Sequence, residues 1–241
     1  IFPDKNWMVV NDYPGTPTRG RIVVTWTNFR TLVDGPRDIQ DFVIMSSFSD
    51  TMGDNWSPAT IITPPADPLV SREQFQGSLP VFLPGGGLAI VYHRFQPSRI
   101  EVVYSPDGGE SFPDESVPIH SGYFLYDAPN MRDGSFLPSV SVARETGDLY
   151  IAYTTLNSPA GTVGNIAFVR SDREVKGSSP SKTPNWRFRS PVNISGLQPV
   201  RSVTTPTISV SPDGLWVTVY FFDNRNDRSG NLTGDFYAVQ S

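Results

Sequence analysis

Ser105-Pro106-Asp107-Gly108-Gly109-Glu110-Ser111-Phe112 is specified more heavily than an ordinary turn requires. Asp107 can fold its carboxylate back onto nearby backbone amides, and Gly108 and Gly109 supply the positive φ angles of a tight hairpin. The flanks agree. Ile100 to Tyr104 is a short apolar strand, and Phe112 is an aromatic placed to plug a sheet edge.

Working outward, a strand pattern Gly-x-apolar-x-apolar-x-aromatic recurs at Gly20 to Trp26, Gly86 to Tyr92, Gly147 to Tyr153 and Gly214 to Tyr220. Such alternation suits a half-buried strand B opening from a glycine turn. Upstream of each lies a strand A: Trp7 to Val10, Pro80 to Leu83, Pro138 to Val142 and Pro206 to Val210. Three of these begin with proline, which a strand tolerates at its first residue. Downstream comes a strand C ending in serine: Val43 to Ser47, Ile100 to Ser105, Ile166 to Ser171 and Phe236 to Ser241. Thr60 to Thr63, Val117 to His120 and Pro191 to Ser195 are candidate D strands, and the fourth unit has none. The repeat predicts an all-β chain of four antiparallel units, at about 4–63, 64–120, 121–195 and 196–241, the last without its outer strand.

The spacing Ser-x-Asp-x-Gly-x-x-aromatic at Ser105 to Phe112 resembles the Asp-box, or BNR repeat, of the sialidase-like β-propellers. Degraded copies are read at Asp50, Gly53 and Trp56, and at Ser171-Asp172, where a polar insertion delays the aromatic to Trp186. The resemblance covers nearly the whole chain and implies one propeller domain over 1–241, built from four-stranded blades. A unit that stops before its D strand leaves an open sheet edge, so a longer propeller, or one completed by a second chain, is expected. In such propellers the Asp-box lies at the outer rim. Asp50 and Asp107 are therefore expected to satisfy backbone amides, and Trp56 and Phe112 to pack between turns.

Ligand residues are expected at the opposite end, in loops entering A (Asp4, Lys5, Arg72, Glu73, Arg132, Asp133, Arg201) and leaving B (Arg30, Arg94, Arg99, Asp223, Arg225). Arg94, Arg132, Asp133, Arg201, Asp223 and Arg225 form the candidate ligand-binding set, because arginine forks grip a carboxylate through paired hydrogen bonds and so suit an acidic sugar. Trp7 and Trp26 can stack on sugar rings or pack between blades. The resemblance further implies, for a sialidase, three arginines on the substrate carboxylate, a tyrosine nucleophile with a glutamate, and an aspartate acid or base. The chain departs from that pattern. Phe29-Arg30-Thr31-Leu32 follows strand B instead of opening the first blade, and no glutamate and tyrosine pair can be placed. Carbohydrate or other extracellular ligand recognition is the expected function, with a sialidase-type glycoside hydrolase and a structural interaction propeller as alternatives.

Composition narrows the partners. The net charge of −5 argues against nucleic acid, and no apolar run is long enough to span a membrane. Without cysteine there is no thiolate or disulfide chemistry. No cofactor or metal is expected. Asp223 to Asn231 has oxygen ligands but not EF-hand spacing, and Gly85-Gly86-Gly87 opens a strand where a phosphate loop would open a helix. His93, one of two histidines, is expected on the rim. Ile1 in place of Met points to a processed chain or fragment, and the setting is expected to be secreted or extracytoplasmic.

Overall fold

The computed structural model describes residues 2–34, 37–63, 74–95, 97–113, 115–121, 137–156, 164–173, 184, 186–195, 203–227 and 233–241, with backbone alone at 31–40, 121 and 173. These residues form four antiparallel sheets that resemble propeller blades. Sheet 1 has the order β1 (Phe2–Val10), β2 (Ile22–Asp34), β3 (Arg37–Ser49), β4 (Thr60–Ile61). Sheet 2 runs β5 (Phe75–Phe82), β6 (Leu88–Arg94), β7 (Arg99–Ser105), β8 (Val117–Ser121). Sheet 3 joins β9 (Ser139–Val142), β10 (Leu149–Leu156) and β11 (Gly164–Arg173), and β11 takes two short outer strands, β12 (Trp186–Phe188) and β13 (Val192–Asn193). Sheet 4 has three strands, β14 (Val203–Val210), β15 (Val217–Asp223) and β16 (Asp235–Gln240). Sheets 1 and 2 belong to one compact unit, and sheets 3 and 4 to another.

Each unit has its own core. In the first, Val23 and Ile44 of sheet 1 pack against Phe75, Leu88, Ile90 and Tyr92 of sheet 2, with the Phe75 and Tyr92 rings edge to face at 5.7 Å. In the second, Tyr150, Ala152 and Ile166 of sheet 3 meet Ile208, Val219 and Phe221 of sheet 4. Burying each large side chain contributes about 1.5–3 kcal/mol. The B strands were expected half-buried. β15 does alternate buried and exposed residues, but β6 is buried on both faces up to Arg94 and β10 through Thr154.

Several strand limits differ from expectation, β1 among them, which starts at Phe2 and not at Trp7. β5 starts five residues before Pro80 and β14 three before Pro206. Both are edge strands, and both carry a β-bulge, so a missing N–H costs little there. β3 runs on to Ser49, which pairs with Ile22 as Ser105 pairs with Leu88; Ser47 does not end it. Trp186 does not plug a turn. It is buried in β12 opposite Arg173, because β11 continues two residues past Ser171.

Ser49 also re-phases the first turn. Ser49, Thr51, Gly53 and Trp56 occupy the spacing of Ser105, Asp107, Gly109 and Phe112. In both turns the glycine N–H donates to the serine Oγ, at 2.9 Å and 2.7 Å. The fourth residue beyond the central position donates to Thr51 Oγ1 at 2.8 Å, and to Asp107 Oδ1 at 2.9 Å. A hydroxyl thus does in the first turn what a carboxylate does in the second. Asp50, expected to hold backbone amides, instead takes two hydrogen bonds of 2.7 Å from the Arg21 fork. Arg21 also reaches Glu110 at 2.8 Å and the Asp107 carbonyl at 2.9 Å, with its guanidinium 4.1 Å from the Phe48 ring centre. Phe112 packs on the first core, whereas Trp56 is exposed and donates to Gly53 O at 2.9 Å.

Candidate functional site

The sheet ends remote from these turns are where B strands finish and A strands begin. There β1, β5 and β14 share one irregularity: the register shifts between Asp4 and Trp7, Gln76 and Leu79, and Thr204 and Thr207. At each, the first extra residue has positive φ: Lys5 at 52°, Gly77 at 71° and Thr205 at 54°. Only glycine takes this region freely, and a β-branched Thr is strained there by about 1–3 kcal/mol. The bulge frees backbone and side-chain groups. In the first unit Gly77 N–H donates to Thr27 Oγ1 at 3.3 Å, Ser78 Oγ to Thr25 Oγ1 at 2.9 Å, and Gln76 Nε2 to Asp4 Oδ2 at 3.3 Å.

The same ends carry arginines, each beside a carboxylate. In the first unit Arg30 pairs across the β2–β3 hairpin with buried Asp41. Among the described residues neither Arg30 Nε nor Asp41 Oδ1 has a hydrogen-bond partner. Arg94 and Arg99 flank Glu101, at 3.4 Å and 3.8 Å from Oε1, while Ser116 Oγ donates to Oε2 at 2.7 Å. In the second unit Asp223 accepts from Arg225 Nε at 2.6 Å and from the Arg225 N–H at 2.7 Å. That bond raises the Arg225 guanidinium above its ordinary pKa. The guanidinium also lies 4.3 Å from the Tyr237 ring centre, and Asn226 Nδ2 donates to Asp235 at 2.6 Å and to Tyr237 Oη at 3.1 Å.

These residues are strand ends more than loops. Arg94 closes β6, Arg99 opens β7, Asp223 closes β15, and Arg30 lies inside β2. Asp223 and Arg225 come together, and Arg94 belongs to the other unit. Arg72, Glu73, Arg132, Asp133 and Arg201 lie outside the described residues. The carboxylates of Asp41 and Glu101 escaped the sequence reading. Arg30 and Asp41 are direct cross-strand partners, so opposite charges facing across a hairpin were the available signal.

A tyrosine and a glutamate do meet: Tyr92 and Glu101 are cross-strand partners. Both are buried, and burial, with the Glu101 charge, raises the Tyr92 phenol far above its ordinary range. That is the opposite of nucleophile activation. His93 is no rim residue. It is fully buried, its ring 4.5 Å from that of Phe95 and its Nε2 3.4 Å from Ser98 Oγ, and burial pushes its pKa down to about 3. Trp26 sits half-buried, two residues beyond Val24 as Tyr92 is beyond Ile90, and Trp7 is exposed on β1. Gly87 is structural: a Cβ there would lie 2.3 Å from Tyr104 Oη. Among the described residues no group of three metal-ligating side chains occurs, and no helix is long and apolar enough to cross a membrane.

No family model matches the chain, and no curated protein matches it significantly. Solved structures do. The chain superposes on the intramolecular trans-sialidase of Ruminococcus gnavus with a TM-score of 0.56 and 16% identity, over 96% of this chain and 42% of that one. For an alpha-L-arabinanase of Penicillium chrysogenum the values are 0.54, 13%, 100% and 68%. For a PL25 ulvan lyase bound to a GlcA-Rha3S repeat they are 0.53, 11%, 98% and 55%. The chain is therefore similar in fold to these three proteins, and it spans less than half the length of the first of them.

Proposed function

We propose that the four sheets are blades of one sialidase-like, Asp-box propeller over 1–241, which recognises an acidic carbohydrate in a secreted or extracytoplasmic setting. The observation that carries this reading is the coincidence of bulged A strands and arginine–carboxylate clusters at the same ends of the sheets. Bulges re-aim side chains beside binding sites, and strained backbone gathers where function over-determines it. Arg94, Asp223 and Arg225 are the described members of the proposed set; Arg132, Asp133 and Arg201 complete it. Asp223 holds Arg225, and Glu101 holds both Arg94 and Arg99, which fixes the forks at these sheet ends, and a fixed fork suits a sugar carboxylate. The likeness in fold to sialic-acid, arabinan and ulvan enzymes supports a glycan over other ligands.

Binding without cleavage is favoured over sialidase-type hydrolysis because Tyr92 is buried and its phenol hard to ionise. Saturation-transfer NMR against sialylated, uronate-containing and neutral oligosaccharides tests this. Acidic sugars should bind, and Arg225→Ala should weaken them at least about tenfold, the loss of one charge-assisted contact. Equal binding of neutral and acidic sugars would sink the assignment. Release of sugar from a sialyl glycoside would move the protein to the hydrolases.

A further inference from the structure

We propose that the acid group of the ligand is gripped within one hairpin, β6–β7, where Arg99 and Arg94 together take an oxyanion substituent, a carboxylate or a sulfate ester. This rests on the reading of the chain as a binder of acidic carbohydrate, and it brings in Arg99, which the proposed set leaves out. The hairpin is built against its own electrostatics. Arg94 and Arg99 are direct cross-strand partners, and the register runs without a shift from Leu88 and Ser105 to this pair. Leu88, Ile90, Tyr92 and Arg94 therefore share one face with Ser105, Val103, Glu101 and Arg99, the face whose apolar members pack against sheet 1. Two like charges directly opposite on one face destabilise a strand pair. Near the same end of β2 and β3, Arg30 faces Asp41, and at the end of β15 and β16 two acids, Asp223 and Asp235, face each other.

Glu101 offsets only part of the repulsion. Its Oε2 accepts from Ser116 Oγ at 2.7 Å, and its Oε1 lies 3.4 Å from Arg94 Nη1 and 3.8 Å from Arg99 Nε. The longer contact is an ion pair without a hydrogen bond. Arg99 Nε is buried with no hydrogen-bond partner, and among the described residues the Arg99 guanidinium makes no hydrogen bond and no second ion pair. Arg21, Arg170, Arg189 and Arg225, by contrast, each donate to a carboxylate. A buried donor left unmade is destabilising, the more so on a charged group, so Arg99 is the guanidinium with most to gain from a ligand. The side chains of Arg94 and Arg99 are 16% and 28% exposed against 2% for Glu101, which places the carboxylate beneath two guanidiniums that solvent reaches. Arg94 is further held 5.5 Å from the Phe75 ring centre. An oxyanion entering from solvent would neutralise the opposed charges and give Arg99 the paired hydrogen bonds it lacks.

The probes are glucuronate and inorganic sulfate, titrated into the full chain while NMR follows the Arg99 Nε–H resonance, assigned by its loss in Arg99→Gln. A saturable shift is expected. A shift with glucuronate alone would mark the group as a carboxylate, one with sulfate alone as a sulfate ester, and no shift with either would overturn the proposal. Against acidic oligosaccharide, Arg99→Gln should weaken binding at least about tenfold, and Arg99→Lys, which keeps the charge and loses the fork, should recover only part of it. Glu101 keeps Arg94 and Ser116 in these variants, so the urea midpoint of Arg99→Gln should stay the same or rise. A lowered midpoint would make Arg99 a structural ion-pair partner and overturn the proposal. The two readings fail differently. If no acidic oligosaccharide binds but the small anions still shift Arg99 Nε–H, the glycan reading falls and the oxyanion subsite stands; if acidic oligosaccharide binds Arg99→Gln as tightly as the parent, the subsite falls and the glycan reading stands.

Discussion

Removing Arg21 tests how much of the first unit hangs on one guanidinium. It is 6% exposed and joins the turn after β3 to the turn after β7, while its partners Asp50 and Glu110 are half exposed. Screening makes the ion pairs themselves modest, so most of the effect should come from lost packing on Phe48 and from the stranded Asp107 carbonyl. Arg21→Met should cost about 2 kcal/mol, read as a lowered urea midpoint at unchanged slope. The two turns also make a matched pair of expectations. Ser105→Ala leaves the buried Gly109 N–H without its acceptor and should cost about 1–3 kcal/mol. Thr51→Asp restores the carboxylate found at 107 and should change stability by less than about 1 kcal/mol. A large loss on Thr51→Asp would show that the two turns are not interchangeable. These details were only half legible beforehand. The spacing from Ser105 was plain, but Asp50 drew attention from Thr51 because a carboxylate looks like the better acceptor, and only strand register shows that it points to Arg21.

At the scale of elements, the recurring glycine-opened pattern and its flanking apolar runs located every A, B and C strand, although β6 and β10 turned out buried on both faces and only strands such as β15 alternate. It could not locate the bulges. Pro206 was read as a strand start, since proline usually avoids strand interiors, yet β14 absorbs it at an edge bulge beside Thr205. Nor does local sequence decide which connection a turn makes. Ser-Pro-Asp-Gly occurs at 105–108 after strand C, and again at 211–214 between strands A and B, where Ser211 Oγ accepts from Trp216 N–H at 2.9 Å. The bulge itself makes a prediction. Thr205 holds a φ of 54° that disfavours a β-branched residue, so Thr205→Gly should raise the melting temperature slightly, by about 0.5–1 kcal/mol equivalent. A destabilised Gly variant would mean that the Thr side chain does more than tolerate the strain. If the glycan proposal is right, the same variant should bind acidic sugar more weakly despite its stability, because a softer bulge fixes the site less well.

Across the molecule, fold was more legible than site because four repeats each report the same architecture, whereas a site depends on residues from different repeats whose pairing no single repeat encodes. Arg94, Asp223 and Arg225 could all be nominated from sequence, but Glu101, the partner of Arg94, required cross-strand register. His93 shows the same gap and gives a pH test of the whole fold. Between pH 7 and 5 the histidines are the side chains of ordinary pKa that titrate, and the chain has two. Burial pushes His93 down to about 3 and also lowers half-buried His120. A histidine depressed in the folded state binds its proton first in the unfolded chain, near pH 6.5. Stability is therefore fully present above that pH, and His93 should cost up to about 1.4 kcal/mol per unit as pH falls toward 3. A second loss should begin near pH 4, as the depressed carboxyls take up protons. At Asp107 burial opposes the charge, but hydrogen bonds from Ser111, Ser105 and the Glu110 N–H outweigh it; at Asp50 the bond from Arg21 does so. Urea midpoints at pH 7.5, 6, 5, 4, 3.5 and 3 should thus fall in two stages. His93→Gln, which keeps a polar group near Ser98, should flatten the first stage and leave the second. An unchanged first stage in that variant would place the proton uptake elsewhere and contradict a neutral, buried His93.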